Sequence, residues 1–257
     1  MSMKNEYDIT IAGLSKSYKG RNEDIVVLNE LNFQVKRGEF FCIVGPSGCG
    51  KSTLLKILVN KIKDYQGTYH INEERRSSGI AYIPQESLLI PWRTLYQNMA
   101  LGLEIKKSIT PSTKGLISDL ISSFKLNGLQ DKLPNQVSGG EAQRASVIRA
   151  LASSPRILLC DEPFSSIDFV TRLDLNTKFK NKAKVQGVTT IFVTHNIEEA
   201  IFLGDRVAVM SKKPGEIVDI IDSSLSEGAE DAVKCRQAPE FNKLFSKIWE
   251  ILENGFH

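Results

Sequence analysis

The chain has 257 residues, 41% apolar and 25% charged, with a net charge of +3. That is enough chain for one large domain, or one core with a subdomain, and the balance is that of an ordinary soluble globular protein. The charge gives no argument for nucleic acid, and the absence of any apolar run near 20 residues excludes a membrane-spanning helix.

Met1–Glu6 lacks the apolar segment of a secretory signal. The four cysteines, Cys42, Cys49, Cys160 and Cys235, show no Cys-x-x-Cys spacing. They read as reduced thiols of a cytosolic protein, neither a disulfide frame nor a metal site. Tyr7–Ile11 and Leu31–Val35 alternate polar and apolar residues, which predicts strands. Arg21–Asp24 and Lys36–Glu39 are polar turns between and after them. Together they predict a small, partly antiparallel sheet leaning on the core. Tyr18 has two readings, an aromatic of that sheet or a platform on which an adenine ring stacks.

Phe40–Val44 is an apolar run, and Leu54–Val59 favours a helix. Between them lies Gly45-Pro46-Ser47-Gly48-Cys49-Gly50-Lys51-Ser52-Thr53. Strand, glycine-rich turn and helix is the context in which Gly-x-x-x-x-Gly-Lys-Ser binds phosphates. The glycines let backbone N–H groups point inward without a side chain in the way. The helix aims its positive end at the same place. Lys51 supplies a full charge near the β- and γ-phosphates, and the Ser52 hydroxyl suits Mg²⁺. By composition alone the pattern arises on the order of once in a hundred chains of this length.

Gly79–Ile83 predicts a further core strand, ended by Pro84-Gln85. Gln85 is either an exposed loop residue or a group that orients water or binds Mg²⁺. From Glu86 to Gln136 the character turns helical, with patterns near Thr94–Leu103 and Thr113–Leu126. This predicts a helical insertion between two parts of one α/β core. Pro91-Trp92 at its start is either a buried Trp or an exposed one suited to docking on another protein.

Ser138 with Glu141 forms a capping box, and Ala142, Ala145, Ile148 and Ala152 recur at helical spacing. Gly139 and Gly140 are poor helix formers in its first turn. They leave N–H groups unshielded at a positive helix end, a second anion site. Arg156–Glu162 reads as a buried parallel strand ending in two acids. Asp161 suits Mg²⁺, and Glu162 suits polarising an attacking water. Thr189–Val193 is another strand, delivering Thr194-His195. His195 is either a capping residue or a γ-phosphate sensor acting with Glu162. Arg206–Met210 and Glu216–Ile220 predict a hairpin turned at Lys213-Pro214-Gly215. A polar link, Ser223–Ala229, leads to an amphipathic helix near Pro239–Glu253, with Phe241, Leu244, Phe245, Ile248 and Leu252 on one side.

Taken together these motifs resemble the ATP-binding cassette ATPases that drive membrane transporters, over nearly the whole chain and in the family's order. Gly45–Thr53 is similar to the Walker A loop, Gln85 to the Q-loop and Ser138-Gly139-Gly140 with Gln143-Arg144 to the signature. Asp161-Glu162 is similar to the Walker B acids, Ser165–Asp168 to the D-loop, His195 to the switch histidine and Tyr18 to the adenine-stacking aromatic. Val137 stands where the signature usually has Leu, and Glu141 where Gln is common; neither change removes a backbone donor.

The resemblance implies an α/β fold: a RecA-like P-loop core with a mostly parallel sheet, an N-terminal antiparallel β subdomain and an inserted helical subdomain. One cassette spans 1–257. Its expected parts are 1–85 (β region and first part of the core), 86–137 (helices), 138–222 (signature helix and second part of the core) and 223–257 (tail). It implies an ATPase that uses Mg²⁺, held by Ser52, Gln85 and Asp161, with Glu162, His195 and Gln85 in catalysis. Two copies would pair head to tail, the signature of one over the nucleotide of the other.

Gln85–Trp92 and the Lys213–Val218 hairpin resemble the importer group for nitrate, sulfonates and taurine. That implies docking on a transmembrane permease at the cytoplasmic face of a membrane, a separate solute-binding protein, and no nucleic acid. Exporter cassettes and soluble assembly factors for metal clusters are the alternatives.

Overall fold

A computed structural model describes residues 6–21, 23–74, 79–223, 225 and 231–254. Its strands are β1 (Tyr7–Lys19), β2 (Asp24–Lys36), β3 (Phe40–Val44), β4 (Gln66–Ile71), β5 (Ile80–Ile83), β6 (Ile157–Asp161), β7 (Thr189–Thr194), β8 (Arg206–Met210) and β9 (Ile217–Asp222). Its helices are α1 (Lys51–Leu58), α2 (Leu95–Ile105), α3 (Pro111–Ser123), α4 (Gly139–Ala152), α5 (Phe169–Val185), α6 (Ile197–Leu203), α7 (Ala232–Gln237) and α8 (Pro239–Asn254).

Two sheets organise these elements. The first is antiparallel, in the order β2-β1-β4. The second runs β5-β6-β7-β3-β8-β9, parallel except for the antiparallel edge strand β9. β3, β6 and β7 are buried along their whole length, as strands covered on both faces must be. Their period of two then sorts side chains into two cores. Phe41, Ile43, Leu159, Ile191 and Val193 meet α1 and the antiparallel sheet. Phe40, Cys42, Cys160 and Phe192 meet the helices on the other side. There Phe179 fixes α5 to the sheet, its ring centroid 6.0 Å from those of Phe40 and Phe192 and 5.6 Å from that of Phe164.

The two helices of the insertion, and α4 after it, each begin with a reciprocal cap. Thr94 and Gln97 close α2, Thr110 and Thr113 close α3, and Ser138 and Glu141 close α4. Leu95, Met99 and Leu103 on α2 and Ile117, Leu120 and Ile121 on α3 join the same core as Ala145, Ile148 and Ala152 of α4. The tail packs back on that core through Cys235, Phe241 and Ile248. Phe241, Phe245 and Trp249 stack along α8 with centroids 6.4 and 6.2 Å apart.

The structure differs from the sequence expectation in extent more than in kind. β1 and β2 run well beyond Tyr7–Ile11 and Leu31–Val35, because register shifts let pairing continue to Lys19 and Asp24. β4 and α7 were not expected. Most of the polar link, with Asn22 of the first turn, lies outside the described residues. All four cysteines are buried and unpaired. Among the described residues no helix is long and apolar enough to cross a membrane.

Candidate functional site

β3 ends at Val44, α1 starts at Lys51, and the loop between them curls tightly. Gly48 and Gly50 lie at φ 78 and 107, backbone that an L side chain rarely adopts. At Gly50 a Cβ would also stand 2.5 Å from Leu28 Cδ2 and 3.0 Å from the Val27 carbonyl. The Lys213–Gly215 turn braces the loop from the other side. Gly215 N donates to Val27 O at 2.9 Å, and Asn29 N donates to Gly215 O at 3.0 Å. This short parallel bridge ties the turn before β9 to β2, so the loop sits between the two sheets.

A cavity of about 510 Å³ opens over the loop. Ser47, Gly48, Gly50, Lys51, Ser52 and Thr53 line it, and the expected Tyr18, Gln85, Glu162 and His195 join them from four other segments. Lys51 Nζ donates to the carbonyls of Gly45 at 2.7 Å and Pro46 at 2.9 Å, which stretches it across the loop. An ammonium has three donors; the third meets only Cys49 Sγ at 3.7 Å, a weak acceptor that a phosphate oxygen can replace. Tyr18 belongs to the antiparallel sheet and also faces the cavity. It is a β1 residue, and 42% of its surface is exposed at the cavity, with Lys16 Nζ 4.5 Å from its ring centroid.

The acids arrive at the tip of β6. Asp161 is buried and accepts from Ser52 Oγ at 2.8 Å and Tyr82 Oη at 3.2 Å. Burial, with the neighbouring Glu162 carboxylate, raises its pKa above the ordinary carboxylate range, and those two hydrogen bonds and Lys56 offset only part of that. Glu162 turns the chain in the left-handed region at φ 47. For a non-glycine residue that costs about 1–2 kcal/mol, and such strain gathers at functional positions. Its Oε2 lies 2.8 Å from His195 Nδ1, with His195 half exposed.

Ser138, Gly139 and Gly140 are elsewhere. They stand at the start of α4 with Ser138 and Gly139 exposed, and none of them lines the cavity. Glu141, whose carboxylate accepts from Ser138 N at 2.7 Å and Ser138 Oγ at 2.9 Å, is held below the usual carboxylate range by those bonds. Gln143 reaches back to the Pro84 carbonyl at 3.1 Å, linking this helix to the segment that carries Gln85. Trp92 is 78% exposed, which rules out the buried reading.

The ABC transporter family matches residues 28–165. An aliphatic sulfonates import ATP-binding protein, SsuB, of Bacillus thuringiensis subsp. konkukian (strain 97-27) is 36% identical over 250 residues, 96% of each chain. The chain belongs to the ABC transporter family. As an ABC ATPase it is also 34% identical over 244 residues to the uncharacterized ABC transporter ATP-binding protein YtlC of Bacillus subtilis (strain 168), 94% of each chain. Among solved structures, the dimeric ABC transporter cassette MJ0796 aligns with a TM-score of 0.73 at 30% identity, over 83% of this chain and 98% of that one. A post-hydrolysis state of the same cassette, bound to ADP and Pi, aligns with a TM-score of 0.72 at 28% identity.

Sequence reasoning missed several cavity and support residues of this cassette. Val27 and Lys213 line the cavity and Tyr82 donates to Asp161. Lys213 lay in a turn whose only visible signal was its Pro-Gly. Tyr82 was legible as a core-strand residue but not as a partner for an acid 79 positions away.

Proposed function

We propose that this ABC ATPase powers the import of a small solute such as a sulfonate, nitrate or taurine, working as a pair of copies on a permease. The separation of Ser138–Gly140 from the cavity carries this reading. One chain presents a phosphate-binding half and, outside that cavity, a second set of helix-start N–H groups. A second copy brings the two halves together over each nucleotide, so ATP acts as the glue and hydrolysis releases it.

Within the cavity, Tyr18 stacks the adenine, the loop amides from Ser47 to Thr53 and the Lys51 side chain hold the phosphates, and Glu162 polarises the attacking water. His195 keeps the Glu162 carboxylate oriented and senses the terminal phosphate. Ser52 Oγ and Asp161 Oδ1, 2.8 Å apart, with the Gln85 side chain at the cavity wall, are the hard oxygen donors that suit Mg²⁺. These residues would hold the ion, which neutralises phosphate charge when bound.

Permease docking falls to the insertion. Trp92, Leu88 and Ile105 are exposed apolar side chains. Ile105 borders a cleft of about 180 Å³ that Arg149 also lines. Arg149 in turn holds the Ser87 and Leu88 carbonyls at 3.2 and 3.0 Å. The permease sits in the membrane with this subunit on its cytoplasmic face, and a separate solute-binding protein delivers the solute. Gel filtration of Glu162→Gln with ATP tests the pairing: an ATP-dependent dimer is expected, and a monomer refutes it. Trp92→Ala should abolish transport in the assembled complex while free-cassette ATPase stays within about twofold, as for a surface substitution. Equal loss of both refutes the docking role.

A further inference from the structure

His195 has a side chain half in solvent, yet the backbone on either side of it is anchored by one residue four positions on. Thr194, at the end of β7 and 2% exposed, donates its hydroxyl to Glu199 Oε2 and accepts from Asn196 N at 3.0 Å. Glu199 N donates to Asn196 Oδ1 at 3.1 Å. The residues before and after the histidine are therefore both tied to Glu199. Its second oxygen, Oε1, accepts from Asn176 Nδ2 at 2.8 Å. Asn176 is 2% exposed and sits on α5, the helix that begins at the Asp168 cap just after Ser165 of the cavity wall. Burial raises the Glu199 carboxyl above its ordinary value, and the bonds from Thr194 and Asn176 offset only part of that. Both are donors, the arrangement an ionised carboxylate accepts.

We infer that Glu199 and Asn176 are positioning residues for catalysis: they lock the Thr194–Asn196 loop to α5 so that His195 Nδ1 meets Glu162 Oε2. This rests on the proposed roles of Glu162 and His195. A loop free to rock carries the imidazole with it, and a misplacement near 1 Å costs about 10²-fold in rate. The bonds are local to the switch loop and touch neither the phosphate loop nor Tyr18, so nucleotide affinity should change much less than turnover.

The test uses the full chain with ATP and compares Glu199→Ala, Glu199→Gln, Asn176→Ala and the exchange Asn176→Asp with Glu199→Gln. Turnover should fall about 10–100-fold in Glu199→Ala and Asn176→Ala, the range of a displaced acid–base pair, with KM for ATP within about threefold. The exchange trades amide for carboxylate across the same gap, and it should recover most of the turnover lost by Glu199→Gln alone. The ¹⁵N resonances of the His195 imidazole should move in both alanine variants and return in the exchange. Folded alanine variants with wild-type turnover overturn the inference. So does a loss that follows the folded fraction alone with the imidazole resonances unmoved. Should Glu199→Ala fail to fold, Asn176→Ala and the exchange decide the matter. Glu162→Gln and His195→Ala separate the two levels. If they keep wild-type turnover, the site reading fails; if they lose it while Glu199 and Asn176 variants do not, only this inference fails.

Discussion

Replacing Gly215 by Ala adds one methyl group where the turn before β9 meets the phosphate loop. Gly215 shows no positive φ, so the conflict is steric. The new Cβ would lie 2.1 Å from the Cys49 carbonyl oxygen and 2.5 Å from Met210 Cε. The methionine end can swing away, but the carbonyl belongs to the backbone of the loop. Either the turn or the loop must move. Moving the turn breaks the bonds from Gly215 N to Val27 O and from Asn29 N to Gly215 O. At about 1 kcal/mol net each, with some strain besides, the loss is about 2–3 kcal/mol. For a chain of this size that lowers Tm by about 5–10 °C. Moving the loop instead withdraws amides aimed at phosphate. Losing one charge-assisted bond costs about 1.5–3 kcal/mol, or roughly 10–100-fold in ATP affinity. Scanning fluorimetry and titration with a fluorescent ATP analogue read both quantities. Gly115→Ala is the matched comparison. Gly115 lies within α3 with open space around its missing Cβ, so alanine should stabilise by about 1 kcal/mol. A Gly215→Ala protein with unchanged Tm and unchanged ATP affinity would refute the reasoning.

Tyr18→Ala should weaken ATP binding by about 1–2 kcal/mol, roughly 5–30-fold, while Tyr18→Phe keeps most of the affinity, because the ring supplies the stacking. Equilibrium titration checks it, and an equal loss in both variants would assign the effect to the hydroxyl. Lys180 Nζ donates to the Phe202 carbonyl at 2.6 Å, and burial pulls its pKa down to about 8. The unfolded chain then binds this proton more tightly, so the fold gains stability as pH rises from about 8 towards the ordinary lysine range. Buried Cys42 and Cys160, pushed up by desolvation, act oppositely above their ordinary pKa. The clean readout is therefore wild type against Lys180→Met by urea unfolding: the difference should move in favour of wild type across that window, and a flat difference would reject it.

Much of the site was legible because its parts are local. Gly45–Thr53, Asp161-Glu162 and Thr194-His195 each sit where an apolar run stops, and a strand tip is written in a few consecutive residues. The Ser138–Glu141 capping box and the second helix of the insertion were legible for the same reason, whereas the boxes at Thr94 and Thr110 emerged only in the structure. What escaped is set by pairing between distant segments. β4 reads as a polar hexapeptide, Gln66–Ile71, with only Ile71 buried, and it becomes a strand because β1 offers an open edge. The outermost residues of β1 and β2, Ser17–Lys19 and Asp24–Val26, are likewise exposed residues held by each other. Tyr82 reaches Asp161 from a neighbouring strand, and Asn176 reaches Glu199 across two helices. No window of the sequence contains both members of such a pair. Whether Trp92 lies inside or outside also depended on the whole surface, since Pro-Trp suits either.

The distance between Ser138–Gly140 and the phosphate loop has a genetic reading if two copies share their sites. A chain with a damaged loop and a chain with a damaged Ser138–Gly140 turn are each inactive alone, because every site in a like pair contains the lesion. In an unlike pair both lesions fall in the same composite site, and the other site is assembled from two sound halves. Two null alleles would then complement within the protein, while two alleles of the same kind would not.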